Sequence, residues 1–77
     1  MKIKVIVTLK KGVLDPQGKV IQQTLNGMNF DNVSDVRQGK FFEIEVNENN
    51  ETKAKSLVDD MCKKLLANLV IEDYKIV

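Results

Sequence analysis

Apolar and polar residues alternate from the second position onward. Ile3, Val5, Val7 and Leu9 fall on one side and Lys2, Lys4, Ile6, Thr8 and Lys10 on the other, which predicts a half-buried strand over residues 2–10. The period then changes to that of a helix. Val20, Ile21, Thr24, Leu25 and Met28 share one helical face, so a helix is expected from about Pro16 to Asn26, with Gly27 supplying a left-handed cap. Two β-like runs follow, Val33 to Arg37 and Lys40 to Val46. Gln38 and Gly39 between them suit a tight hairpin, and one long strand bulged at Gly39 is the competing reading. In the second run Phe42, Ile44 and Val46 point one way and Phe41, Glu43 and Glu45 the other, which makes Phe41 an aromatic outlier on an acidic side. Asn49 or Asn50 is placed to cap a second helix whose apolar stripe is Ala54, Leu57, Val58, Met61, Cys62 and Leu65. Asn68 is suited to end it, and Val70 to Val77, with Tyr74 and Ile76 in phase, reads as a last strand.

The expected order is strand, helix, strand, strand, helix, strand: an α+β sandwich of ferredoxin-like type, with two helices on one face of a small antiparallel sheet. Ile6 and Phe41 then lie on the uncovered face. At 77 residues the chain reads as a single domain over 1–77 that buries only about 60–65% of its extended surface. A second copy packed on it would add the stability that so small a core lacks. The 43% hydrophobic and 30% charged content fits a soluble globular domain rather than a disordered one. No stretch reads as a membrane span or a secretory signal, so the expected location is cytoplasmic. Net charge is +1, but residues 1–20 carry five lysines against Asp15, whereas residues 31–60 carry four basic residues against eight acidic ones. Such polarity is able to steer a complementary partner or a second copy.

Candidate chemistry is sparse. The chain has no histidine and one cysteine, which removes histidine-based catalysis, the usual transition-metal sites and an internal disulfide. Ser34 and Ser56 have no base to activate them, and Cys62 sits within an apolar stripe that suits a small buried hydrophobe. Asp59/Asp60 and Glu72/Asp73 are sequence neighbours, which diverge on a helix or a strand and do not form a two-carboxylate site. The glycines make no phosphate loop, and the aromatic run at Phe41 and Phe42 is flanked by acids rather than the basic pattern of an RNA-binding sheet. No nucleic-acid or membrane partner is expected.

The most densely specified stretch is Gly12 to Gly18, where Asp15 suits a helix N-cap and Pro16 the first helical position. Val13 and Leu14 within it have no capping duty. Three blocks, Lys10 to Gly18, Val33 to Lys40 and Met61 to Tyr74, together resemble the PurS family, the small subunit of phosphoribosylformylglycinamidine synthase. The resemblance spans essentially the whole chain. One departure is Leu69, which stands where the family usually has proline.

The resemblance implies a subunit of de novo purine synthesis without catalytic residues of its own. It is expected to act as a dimer or higher oligomer that bridges a PurL-type synthetase and a PurQ-type glutaminase and supports ammonia transfer. The ATP and Mg belong to the complex, with no cofactor or metal expected on this subunit. Interface candidates are Val13, Leu14, Asp15, Arg37, Lys40, Phe41, Glu72 and Asp73. The same order of elements also describes ACT-type regulatory domains that hold small ligands between protomers, which is the alternative reading.

Overall fold

The computed structural model describes all residues, 1–77. Its elements are strand β1 (Lys2–Leu9), helix α1 (Pro16–Gly27), strand β2 (Gly39–Glu45), helix α2 (Glu51–Met61) and strand β3 (Glu72–Ile76). The strands form one antiparallel sheet in the order β2-β1-β3. Register places Ile3 opposite Ile44 and Val5 between Phe42 and Ile76, so the β1 residues that alternate inward meet inward-facing residues on both neighbours. The sheet is the α+β architecture expected from the alternation, with one fewer strand.

The missing strand is Val33 to Arg37. Its alternation suggested a ladder partner, yet its carbonyls are taken by side chains of α1: Gln22 Nε2 donates to Ser34 O at 3.0 Å and Asn26 Nδ2 to Val33 O at 3.1 Å. Gln38 N–H goes to the Asp15 carboxylate at 2.7 Å instead of to a hairpin. With these backbone groups satisfied elsewhere, the segment runs as an irregular connection and the chain joins the sheet only at Gly39. Gly39 needs to be glycine there, because a Cβ would lie 2.5 Å from the Val7 carbonyl oxygen.

One face of the sheet is covered by α2. Ile3, Val5 and Val7 pack with Val46, Ala54, Val58, Cys62 and Ala67, and Phe42, Ile44, Leu66, Tyr74 and Ile76 close the sides. Asn50 caps α2 by accepting from Lys53 N–H at 3.1 Å. Past Met61 the helix widens into a π turn over Cys62–Leu66, marked by Ala67 N–H donating to Cys62 O at 3.0 Å. Of the expected stripe Ala54, Val58 and Cys62 are buried, whereas Leu57, Met61 and Leu65, four residues apart along its flank, are exposed at 46%, 38% and 83%; past the π turn Leu66 and Ala67 continue the core. Tyr74 of β3 donates its hydroxyl to Asp59 of α2, which also pairs with Lys63 at 2.9 Å. The Tyr74 hydrogen bond, with Lys63 second, holds the Asp59 carboxyl below its ordinary range, and that same bond raises the Tyr74 phenol.

Helix α1 departs from the expected sandwich. Asp15 and Pro16 start it as anticipated, but Gly18 is its one buried residue, and Val20 and Ile21 are exposed. The left-handed residue past its end is Asn29 (φ 74), not Gly27. The helix therefore extends from the sheet rather than covering it. The radius of gyration is 15.9 Å with extents of 49 × 24 × 14 Å, against about 11.5 Å for a compact chain of this length. Accessible surface is 5819 Å², against about 4,700 Å² for a compact monomer of this mass. The excess, roughly 1,100 Å², is comparable to what one protein gives to a stable interface.

Charge that is segregated along the chain is mixed in space. Register sets Lys2 opposite Glu45 and Lys4 opposite Glu43 on the face away from α2, and Lys10 lies 3.7 Å from Asp73. The basic beginning and the acidic middle are thus cross-strand neighbours, and the sequence polarity does not build two opposed patches.

Candidate protein-contact site

The three blocks meet at the end of the sheet where β1 stops. Gly12 turns the chain with φ +85, and Val13 N–H closes the turn onto Lys10 O at 3.1 Å. Asp15 follows, and its carboxylate is the knot of the site. Oδ1 accepts from Gly18 N–H at 2.8 Å, capping α1, and Oδ2 accepts from Gln38 N–H at 2.7 Å, tying the second block to the first. The side chain is buried, and its carboxyl is held below the ordinary value of 3.8 chiefly by the Gln38 bond, then by the Gly18 bond, with the Arg37 charge a smaller contribution. Gly18 leaves room for this approach: a Cβ there would meet the Val36 carbonyl oxygen at 2.2 Å and the Asp15 carboxylate at 2.9 Å.

Around the knot lies an open cleft of about 450 Å³ lined by Val7, Leu9, Asp15, Pro16, Gln17, Gln38, Gly39, Lys40 and Glu72. Lys40 Nζ is 3.9 Å from Glu72 Oε2 across it. Behind it, Arg37 Nη2 donates to Lys10 O at 3.2 Å, and Lys10 reaches Asp73. The sequence-derived candidates are therefore largely brought together: Asp15, Lys40 and Glu72 line the cleft, while Arg37 and Asp73 sit beside it. Strand alternation turns Glu72 inward, with a side chain 14% exposed, and leaves Asp73 outward at 68%. Val13 is half-buried and Leu14 is 73% exposed at the rim. Phe41 is the exception. It lies on the opposite face of the sheet, directly across from Ile6.

Chemically, this corner offers no free nucleophile or base. Its buried Asp15 carboxylate is consumed by two backbone donors, inward-turned Glu72 is paired with Lys40, and exposed Asp73 with Lys10. Cys62 is far from acting as a nucleophile, because burial pushes its thiol above the ordinary range, with the Asp59 charge adding to the effect. Two features went unread in the sequence: Gln38, whose backbone amide completes the knot, and Asn26, whose side chain donates to Phe30 O at 2.9 Å and to Val33 O, folding the second block against α1. Neither has a local pattern that names its partner.

A family model described as "PurS: Phosphoribosylformylglycinamidine (FGAM) synthase" matches residues 2–77. The chain belongs to the PurS family. It is 52% identical over 75 residues to the PurS subunit of Methanocaldococcus jannaschii, covering 97% of this chain and 90% of that protein. The crystal structure of M. jannaschii PurS, one of the subunits of formylglycinamide ribonucleotide amidotransferase in the purine biosynthetic pathway, superposes with a TM-score of 0.89, covering 99% of this chain and 92% of that one at 53% identity. Bacillus subtilis PurS gives a TM-score of 0.86 at 49% identity, covering 99% and 94%. A chain in the structure of PurLQS from Thermotoga maritima matches at 32% identity with a TM-score of 0.87, covering all of this chain and 96% of its own. This PurS chain is thus a subunit of FGAM synthase, in the purine biosynthetic pathway, and its resemblance in sequence extends to the whole fold, including the three-stranded sheet.

Proposed function

We propose that this chain is the non-catalytic small subunit of FGAM synthase, self-associated and seated between the synthetase and glutaminase subunits, where it holds them in a geometry that lets ammonia pass. The observation that carries the reading is the corner at the end of the sheet: three sequence blocks are folded onto one buried carboxylate and present paired charges, Pro16, Leu14 and an open cleft outward. The likeness to a chain of the T. maritima PurLQS structure supports a place in an assembly of that kind. ATP and Mg act on the larger subunit in this reading, and the small subunit binds no cofactor. The setting is the cytoplasm; no helix here is long and apolar enough to cross a membrane.

The experiment is reconstitution. Synthetase and glutaminase are assayed for glutamine-dependent amidine formation with and without this chain, and the mixture is passed over a sizing column with glutamine and Mg-ADP. Addition should raise glutamine-dependent turnover and yield a ternary peak. Turnover that is the same without the chain would overturn the proposal, and tight calorimetric binding of an amino acid or purine nucleotide to the isolated chain would favour the regulatory alternative.

A further inference from the structure

The cleft at the end of the sheet holds a carboxylate that is rigidly placed and weakly neutralised. Val7, Leu9, Lys40 and Glu72 share one face of the sheet, since the register sets Val7 opposite Lys40 and Leu9 opposite Glu72. Lys40 and Glu72 stand on the two outer strands, so they reach toward each other over β1 from backbones about 10 Å apart. Asn68 fixes Glu72 twice: Glu72 N–H donates to Asn68 O at 2.7 Å, and Glu72 Oε1 accepts from Asn68 N–H at 2.7 Å. The other oxygen, Oε2, meets Lys40 Nζ at 3.9 Å, beyond hydrogen-bond length. The Glu72 side chain is 14% exposed and that of Lys40 is 61%, so an enclosed carboxylate leans on a cation that stays mostly in water. Asp15 also lines the cleft, which leaves two negative side chains there against one positive.

We propose that this cleft takes the guanidinium of an arginine projected by the synthetase or the glutaminase, which pairs with Glu72 Oε2 and displaces Lys40 into solvent. The proposal rests on the assembly reading above and names the chemistry of one contact in it. A cation answers the excess of negative charge, and the composition of the cleft selects which cation. Val7, Leu9 and Pro16 give it apolar walls, which suit the flat, weakly hydrated guanidinium better than a strongly hydrated ammonium. Five donors need several acceptors, and the side-chain carbonyls of Gln17 and Gln38 stand in the same lining as Glu72. A second copy of the chain is a poor source. Its only arginine is Arg37, and that guanidinium is already bonded to Lys10 O beside the same cleft. The incoming segment also has somewhere to lie: Pro16, Gln17 and Gln38 are shared with an adjoining groove of about 450 Å³ against Val20 and Ile21 of α1.

The test measures binding of the full chain to the synthetase and glutaminase together by calorimetry. Glu72→Gln keeps an oxygen for Asn68 N–H and loses the charge, so the fold should hold while the dissociation constant rises by about tenfold or more. Lys40→Met removes the competing cation and should act in the opposite direction, lowering the dissociation constant by about twofold to fivefold. Glu43, also 3.9 Å from a lysine but on the other face of the sheet, is the control: Glu43→Gln should bind as wild type does. A titration of the isolated chain with N-acetylarginine amide, followed by nuclear magnetic resonance, should shift the backbone amide signals of Leu9, Gly39 and Glu72. The lysine analogue should shift them less, and the uncharged citrulline analogue should leave them in place. Wild-type affinity in Glu72→Gln, weakening in Lys40→Met, or signals that ignore the arginine analogue or follow citrulline equally, each overturn the arginine and leave the assembly reading intact. Dissociation of the chain from its own copies in Glu72→Gln assigns the cleft to a second copy and overturns it likewise. A wild-type chain that joins neither larger subunit overturns the assembly reading and this contact with it.

Discussion

Replacing Gly18 with alanine sets two effects of opposite sign against each other. In a helix the change ordinarily stabilises by up to about 1 kcal/mol through restricted chain freedom. Here the new Cβ would lie 2.2 Å from the Val36 carbonyl oxygen and 2.9 Å from Asp15 Oδ2. The first obstacle is backbone, fixed by the Asp15–Gln38 bond and by the Gln22 and Asn26 bonds to the same segment, so no side chain swings aside. Such a clash costs about 3 kcal/mol, the upper end of the overpacking range. The net loss is about 2 kcal/mol, which for a domain of this size lowers Tm by about 8–16 °C. Gly27 is the internal control: it ends the same helix, and a Cβ there meets nothing within 4 Å. Gly27→Ala should gain about 0.5 kcal/mol, raising Tm by about 2–4 °C. Both are read by thermal and urea unfolding at one fixed chain concentration, since self-association shifts Tm. A Gly18→Ala protein as stable as wild type would refute the reasoning, because it would mean that the second block does not press on the helix start.

The remaining predictions concern the knot, the core and the rim. Asp15 has a folded carboxyl below its ordinary value of 3.8, so its contribution to stability is complete above that pH and is lost as pH falls through the lower folded value; Asp15→Asn should flatten the acid limb of stability below about pH 4 and leave its shape above pH 5 unchanged, measured by urea midpoints across pH. Val58→Ala removes two fully buried carbons, worth about 0.8 kcal/mol each with a cavity cost added, and should lower stability by about 2 kcal/mol in urea unfolding. Cys62 should react with Ellman's reagent at the global unfolding rate, and Cys62→Ala should keep full activity in the reconstituted complex. Leu14→Ser changes a residue that is 73% exposed, so Tm should move by no more than about 4 °C while retention of the chain by the synthetase and glutaminase on a sizing column falls.

What could be read from the chain follows from where each physical signal resides. β1, β3 and the first turns of α2 bury one side against neighbours that do the same, so the alternation of Ile3, Val5 and Val7 and the spacing of Ala54, Val58 and Cys62 carry their own placement. Leu57, Met61 and Leu65 recur with the same helical spacing beside that row but lie on a flank this chain leaves open, and periodicity alone does not separate the two. Val33 to Arg37 alternates as a strand does, but the decision lay in Gln22 and Asn26 on another element, whose amides occupy the carbonyls a ladder would have used. The contact corner has the same character. Its residue types were visible in three separated blocks, whereas the bond that joins them, from the Gln38 amide to Asp15, involves a backbone group any residue would supply. For α1 the amphipathic spacing gave the helix correctly and its packing wrongly, since Val20 and Ile21 face solvent and the sheet keeps its distance. An apolar stripe states that something will cover it and is silent on whether that cover is the same chain. In a protein whose surface exceeds the compact expectation by roughly 1,100 Å², the stripe on α1, the rim at Leu14 and Phe41 on β2 are left without cover from this chain, which is what the proposed assembly role requires.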